Sequence, residues 1–367
     1  DKFSEITIDT NYTRNNRKVM ELGGMMATAP LMMKAYYEFR GNRWYALVAI
    51  YDPAKPAPSV ERFFKSFTVL DYPPSEWKQY TAEDNLFTTW APARFGFDAT
   101  PEDDGDTTYK YESFDTVRAD NYTIVPADFG NYYWQTSDSA LWETIIKSDL
   151  RYNDSLLSRE AITNGEAKGV EIFVQREGAG NVARKRMLLN GTKIYTLLTV
   201  QPAAEIRNNN NNKFFEDFRF SKTVSSASLF VSKATQLLTD LASSDSALHE
   251  AARDAFSIAP FTKEELPLLH KALLQEYSWD TIRYQKVSTN IQKEIIHLED
   301  NSSYDFAKRN YLQANDEQKK ILLGIMTSFP TKEHFEEIKT FLVKDPPRVE
   351  WGYGFVNDLK DTATLTA

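Results

Sequence analysis

A chain of 367 residues, 42% hydrophobic and 13% aromatic, is long enough to bury sizeable cores and points to two or three domains. Its formal net charge of −9 argues against nucleic acid and anionic membranes as partners, because their phosphates demand a basic face. The absence of cysteine excludes a disulfide framework, a thiolate nucleophile and cysteine-ligated metal sites.

No run approaches the roughly 18 apolar residues of a membrane span, so no transmembrane segment is predicted. The opening DKFSEITIDT carries neither an initiator Met nor a signal peptide and reads as a processed or trimmed end. The first clear structure is a hairpin, LMMKAYYEF and RWYALVAIY flanking Gly41-Asn42. After Pro53 and a polar spacer, Phe63, Phe64 and Phe67 fall on one face of a short helix that would close over the sheet.

Further along, the stretch PEDDGD offers oxygen donors, with Asp98, Asp104 and Asp106 as candidate cation ligands, but it lacks EF-hand spacing. Asp and Gly clusters of this kind more often make plain turns. The tripeptide DFG at Asp128 to Gly130 has no glycine-rich loop or catalytic loop to accompany it, so it is not read as a kinase motif. It belongs to the strand-like run DNYTIVPADFGNYYW, whose Tyr132, Tyr133 and Trp134 either fill a core or form an exposed binding patch.

A helix follows, capped by Ser137 or Ser139, with Leu141, Trp142, Ile145 and Ile146 on one face. Strands SLLSREAIT and KGVEIFVQRE come next, and then VARKRMLL and TKIYTLLTV joined at Asn190-Gly191, read as the central pair of a type I′ turn. The tract Asn208 to Asn212 is expected to be a solvated loop before Phe214, Phe215 and Phe218. This ending matches the first hairpin: Trp44 and Tyr45 with Ile194 and Tyr195, Pro53 with Pro202, and the three phenylalanines with each other.

The run from FTTWAPARFGF through YTIVPADFGNYYW, the helix, and NGTKIYTLLTV to FFEDFRF resembles a PsbP-like (Mog1/PsbP fold) unit of the kind repeated in Bacteroidetes envelope proteins. The resemblance implies an α+β antiparallel sheet unit over residues 70–220, and a partial one over residues 1–69. Its best-known member is a non-catalytic photosystem accessory protein, so it implies a fold without a mechanism.

Residues 221–228 read as a linker, and residues 229–367 as an all-α domain. Phe230, Ala234, Leu237, Leu238 and Leu241 keep helical spacing. FTKEELPLLHKALL and PTKEHFEEIKTFLV lie 69 residues apart, two helix hairpins of about 35 residues each, as in a HEAT-like solenoid. Alternatively they are two unrelated helices that begin alike, Thr262 with Glu265 making a capping box. The aromatic Trp351, Tyr353 and Phe355 near the end suggest that further helices follow in a longer protein.

His249, His270, His297 and His334 show no metal-ligand spacing, and no nucleophile elbow or phosphate loop occurs. No catalytic, metal or cofactor residue is assigned and no cofactor is expected. The sequence leads to a non-catalytic interaction or scaffold module, periplasmic or envelope-associated, with another protein as partner. A lipid- or sugar-binding protein and a hydrolase working with carboxylates alone are the alternatives.

Overall fold

The computed structural model describes residues 3–15, 17–55, 58–101, 107–176, 180–277, 279 and 286–348. The chain divides into two compact units: residues 1–128 with 142–226, and residues 129–141 with 227–367.

The first unit opens with a four-stranded antiparallel meander of β1 (Phe3–Arg14), β2 (Arg17–Met26), β3 (Met32–Arg40) and β4 (Arg43–Tyr51), in sheet order β1-β2-β3-β4. Strand alternation sends Val19, Tyr36 and Leu47 to one face, where Phe64 of α1 (Pro58–Ser66) and Phe67 pack on them. The expected three-phenylalanine face is only partly formed. Phe67 lies past the helix end, and Phe63, one residue from the packed Phe64 and so rotated by about 100°, points to solvent.

The same unit continues with β5 (Lys78–Thr81), β6 (Phe87–Ala91), β7 (Gly96–Pro101), β8 (Thr107–Asp115) and β9 (Asp120–Asp128). Then follow α2 (Asp138–Asp149), β10 (Asp154–Asn164), β11 (Ala167–Arg176), β12 (Asn181–Asn190), β13 (Lys193–Pro202), α3 (Asn209–Glu216) and β14 (Arg219–Phe220). Seven strands form one sheet in the order β10-β11-β12-β13-β9-β8-β7, and β14-β6-β5 form a second. Phe214, Phe215 and Phe218 are buried with Phe87, Ile124 and Leu197 in the core beneath α3. On the opposite face, the ion pairs Glu143–Arg159 (2.8 Å) and Asp149–Lys185 (2.6 Å) seat α2 across the strand that carries Ala183, Met187 and Leu189.

Two local expectations are corrected. The β12–β13 register pairs Asn190 with Lys193, so the central turn residues are Gly191 and Thr192. Only Gly191 has positive φ (66°), which rules out a type I′ turn because that turn needs it at both positions. Asn190 instead accepts from the Val224 amide (2.6 Å) and donates to the Lys222 carbonyl (3.0 Å). The asparagine tract is not a loop either: Asn208 caps α3 by accepting from the Asn211 amide. The wholly buried Asn211 side chain donates to Gln201 Oε1 (2.7 Å) and to the carbonyls of Glu205 and Ile206, and accepts from the Tyr122 hydroxyl (2.6 Å). Satisfying every polar atom lets an amide replace an apolar side chain there.

The two meanders share a polar arrangement. In the larger sheet, buried Arg184 pairs with Glu171 (3.1 Å) and lies 4.2 Å from the Phe215 ring centroid. In the smaller one, Lys34 pairs with Glu21 (3.7 Å) and stands 5.1 Å from the Phe64 centroid.

The second unit is helical: α4 (Ala234–Leu241), α5 (Ser246–Phe256), α6 (Leu266–Leu273), α7 (Val287–His297), α8 (Ser302–Asn310), α9 (Asp316–Thr327) and α10 (Lys332–Lys344). The Thr262–Glu265 capping box is present, and Thr331 caps α10 by accepting from the His334 amide. Leu237, Leu241, Leu269, Ile291, Leu322 and Met326 are among the buried residues of its core. None of the described helices is long and apolar enough to cross a membrane. Trp351, Tyr353 and Phe355 lie outside the described residues.

Candidate functional site

Tyr132, Tyr133 and Trp134, the aromatic residues singled out as a possible binding patch, belong to the helical unit. Trp134 is 2% exposed and meets the Phe261 ring edge to face at 5.7 Å, and the Tyr132 hydroxyl donates to Asp240 (3.0 Å). Tyr133 is half-buried and stacks on Phe129 at 4.4 Å. A partly open cavity of about 260 Å³ beside them is also lined by Ala251, Ala255 and Pro260. Tyr132 and Trp134 are therefore core, which sequence alone left open, while Tyr133 is half-buried and lines the cavity.

Asp98 on β7 is exposed and bonded to Lys110 (3.3 Å) and Thr100 (3.0 Å), while Asp104 and Asp106 lie outside the described residues. Three of the histidines are stacked singly on aromatic rings, His249 on Trp279 (4.0 Å), His270 on Phe306 (4.1 Å) and His334 on Tyr304 (3.5 Å). Among the described residues no cluster of three or more His, Asp or Glu is arranged to hold a metal ion.

Two features that sequence reasoning missed stand out in the sheet unit. The first is a charged cleft of about 370 Å³, lined by Arg40, Asp71, Tyr72, Arg118, Glu205 and Asn208 among others. The Arg40 guanidinium lies 3.4 Å from the Tyr72 ring centroid and that of Arg118 lies 5.6 Å from it, so both cations face one aromatic ring. The β3–β4 turn lies against one of the cleft's acids, Glu205. Gly41 has φ +57°, and a Cβ there would meet the Glu205 carboxylate at 3.3 Å. Its neighbour Asn42 donates to Asp120 (3.0 Å) and to the Val200 carbonyl (2.8 Å), and accepts from Asn181 (3.1 Å).

Asp120 is 1% exposed and sits directly opposite the equally buried Asp115 in the β8–β9 register. Burial, then the negative charges of Glu205 and Asp115, push its carboxyl up to about 7 against the pull of Arg118 and Asn42. Asp115 accepts from Ser75 (2.8 Å) and from the amides of Val117 and Arg118, and so anchors the tight turn. Asp120 is not among the residues that line the cleft, whose acids are Asp71 and Glu205.

The second feature is a bare sheet face. On the meander side away from α1, the register aligns Phe39 with Trp44, Tyr37 with Ala46, Ala35 with Val48 and Met33 with Ile50, and places Met20 and Leu22 beyond them. Trp44 is 61% exposed, Ile6 57%, Ile50 53%, Val48 47% and Phe39 42%. The Trp44 and Tyr37 rings lie 5.8 Å apart on this surface. A contiguous apolar face of this kind marks an interaction site more often than chance exposure does. Sequence could have pointed to it only through the alternation in β4, where one row packs against α1 and the other stays exposed, with none of the described helices over it.

No family model matches the chain, and no curated protein matches it either. Among solved structures, the chain is similar to the solution structure of cyanobacterial PsbP (CyanoP) from Synechocystis sp. PCC 6803. That match has 9% identity and a TM-score of 0.29, covering 42% of this chain and 99% of that one. It is also similar to a crystal structure from Bacteroides thetaiotaomicron VPI-5482, with 11% identity and a TM-score of 0.25, covering 60% of this chain and 77% of that one. The architecture of antiparallel sheets followed by helices stands on the strand pairing itself.

Proposed function

We propose that this protein is a non-catalytic interaction module whose docking surface is the bare face of the β1–β4 meander. The single observation that carries the reading is that face: Trp44, Val48, Ile50, Phe39 and Ile6 are all exposed on one side of a sheet whose other side is packed. The Glu-cation-Phe arrangement in both meanders, Glu21–Lys34–Phe64 and Glu171–Arg184–Phe215, supports reading them as copies of one duplicated unit. In that reading the helices α4–α10 form a HEAT-like array, with the 69-residue offset as its support. An envelope location follows from the sequence resemblance to repeated Bacteroidetes units.

A photo-crosslinking side chain at Val48 is the test, with the fully exposed Tyr152 as control. A discrete polypeptide adduct from position 48 that is absent from position 152 supports the docking surface. Equal background at both positions overturns it.

A second reading, a binder of a small polar ligand, is favoured by the cleft at Arg40, Tyr72 and Arg118, where two guanidiniums converge on one ring. Its polar lining suits a sugar or an anion and does not suit a lipid chain.

A further inference from the structure

We infer that the occupant of the bare face is an amphipathic α-helix of a partner protein, laid across the strands with its apolar side down and a cation directed at Asp9. The inference rests on the docking reading and names the partner's chemistry. The register supplies the argument. Arg159 lies opposite Ile172 and Ile172 opposite Lys185, so the two cations that hold α2 stand in one row across β10, β11 and β12. The row in the smaller meander is Asp9, Leu22 and Ala35.

The larger meander therefore shows how such a face is covered. A short helix crosses it, and acids on the helix, Glu143 and Asp149, meet basic residues on the sheet. In the smaller meander the apolar positions persist but the polar ones are changed. Asp9 stands where Arg159 would be and Ala35 where Lys185 would be. Asp9 is exposed and makes no ion pair among the described residues. A helix like α2 would thus bring Glu143 against Asp9, a like-charge contact, and leave Asp149 without a cation, since buried Ala35 holds the place of Lys185. The fitting occupant keeps the apolar face and replaces the acid by Lys or Arg. Charge complementarity of this kind sets partner choice more than affinity.

The probe is a fluorescein-labelled, stapled peptide with the sequence of residues 137–149 carrying Glu143→Lys, titrated into the full 367-residue protein by fluorescence anisotropy. Saturable one-to-one binding is expected, weakened by about ten-fold or more in Trp44→Ala, since aromatic anchors dominate such interfaces. The peptide with the original Glu143 should bind about two- to five-fold more weakly, the scale of one exposed ion pair, and Asp9→Arg should invert that preference. Trp44 is mostly exposed, so its variant keeps the fold, and an unchanged thermal transition verifies this.

No saturable binding, or a preference that Asp9→Arg leaves unchanged, overturns the helix. Sedimentation velocity on the same samples separates the two readings. A dimer that Trp44→Ala dissociates, without peptide binding, assigns the face to a second copy; it overturns the helix and leaves the docking surface standing. A monomer that binds no peptide, together with a negative crosslinking result, removes both.

Discussion

Asp120 joins the β3–β4 turn to the larger sheet through a single carboxylate oxygen that accepts from Asn42, and its other oxygen has no hydrogen-bond partner. With its carboxyl pushed up to about 7 in the fold and near the ordinary carboxylate value when unfolded, the folded chain holds a proton that the unfolded chain has released. Stability from this group is therefore fully present below about pH 4, declines as pH rises to about 7 and is flat beyond. Asp120→Asn keeps the acceptor for Asn42 and carries no charge. Its urea midpoint is expected to change less than that of the parent between pH 5 and 8, with the variant the more stable of the two at pH 8 by a few kcal/mol at most. Parallel pH profiles for the two proteins would count against the assignment. No sequence pattern revealed this acid, because its burial comes from a turn that lies 78 positions away.

At the scale of elements, the two meanders offer an internal comparison. Arg184 is buried, pairs with Glu171, donates to Asn212 (2.7 Å) and faces Phe215, whereas Lys34 and Glu21 keep about a fifth of their side-chain surface exposed. Arg184→Ala removes one of the two guanidiniums on buried Glu171, leaving Arg186 (2.8 Å) as its partner, and should cost about 2–3 kcal/mol, while Lys34→Ala should cost about 1 kcal/mol or less. Denaturant titration of both variants checks the ratio, and equal losses would show that Arg184 is not the structural centre of its helix-sheet contact. The elements themselves were largely legible. Alternation in RWYALVAIY and TKIYTLLTV predicts β4 and β13, and the apolar spacing after Ser137 predicts α2. Less legible was what each element touches. The Asn208–Asn212 tract has loop composition, yet the buried acceptors around Asn211 turn it into helix, and the position of Gly191 in its turn follows from strand register and not from the Asn-Gly pair. The charged cleft is assembled from segments around residues 40, 72, 118 and 205, a juxtaposition that pattern reading cannot foresee.

For the whole molecule, the helical period after residue 229 announced a second unit, but nothing in the sequence announced that residues 129–141 are part of it. The reason is physical: DNYTIVPADFGNYYW reads as one strand, while the sheet register of β9 ends at Asp128 and the following aromatics find their burial among helices. Trp134→Ala is expected to destabilise the helical unit by about 3–5 kcal/mol, the usual cost of emptying a large aromatic site. A fragment that starts at residue 227 lacks Tyr132 and Trp134 altogether, and its thermal transition should fall below that of the helical unit in the full chain. An unchanged transition in the fragment would mean that the inserted aromatics add nothing to the helical core.

The insertion also orders events during synthesis. The chain between residues 129 and 141 leaves the ribosome well before α4–α10, so its tryptophan and tyrosines must wait in water, or against a chaperone, while the strands on either side find each other. Every nascent molecule thus passes through an interval with a greasy tether looped out of a half-finished protein. Ribosome-bound chains halted near residue 240 should be more prone to clumping than those halted after residue 345.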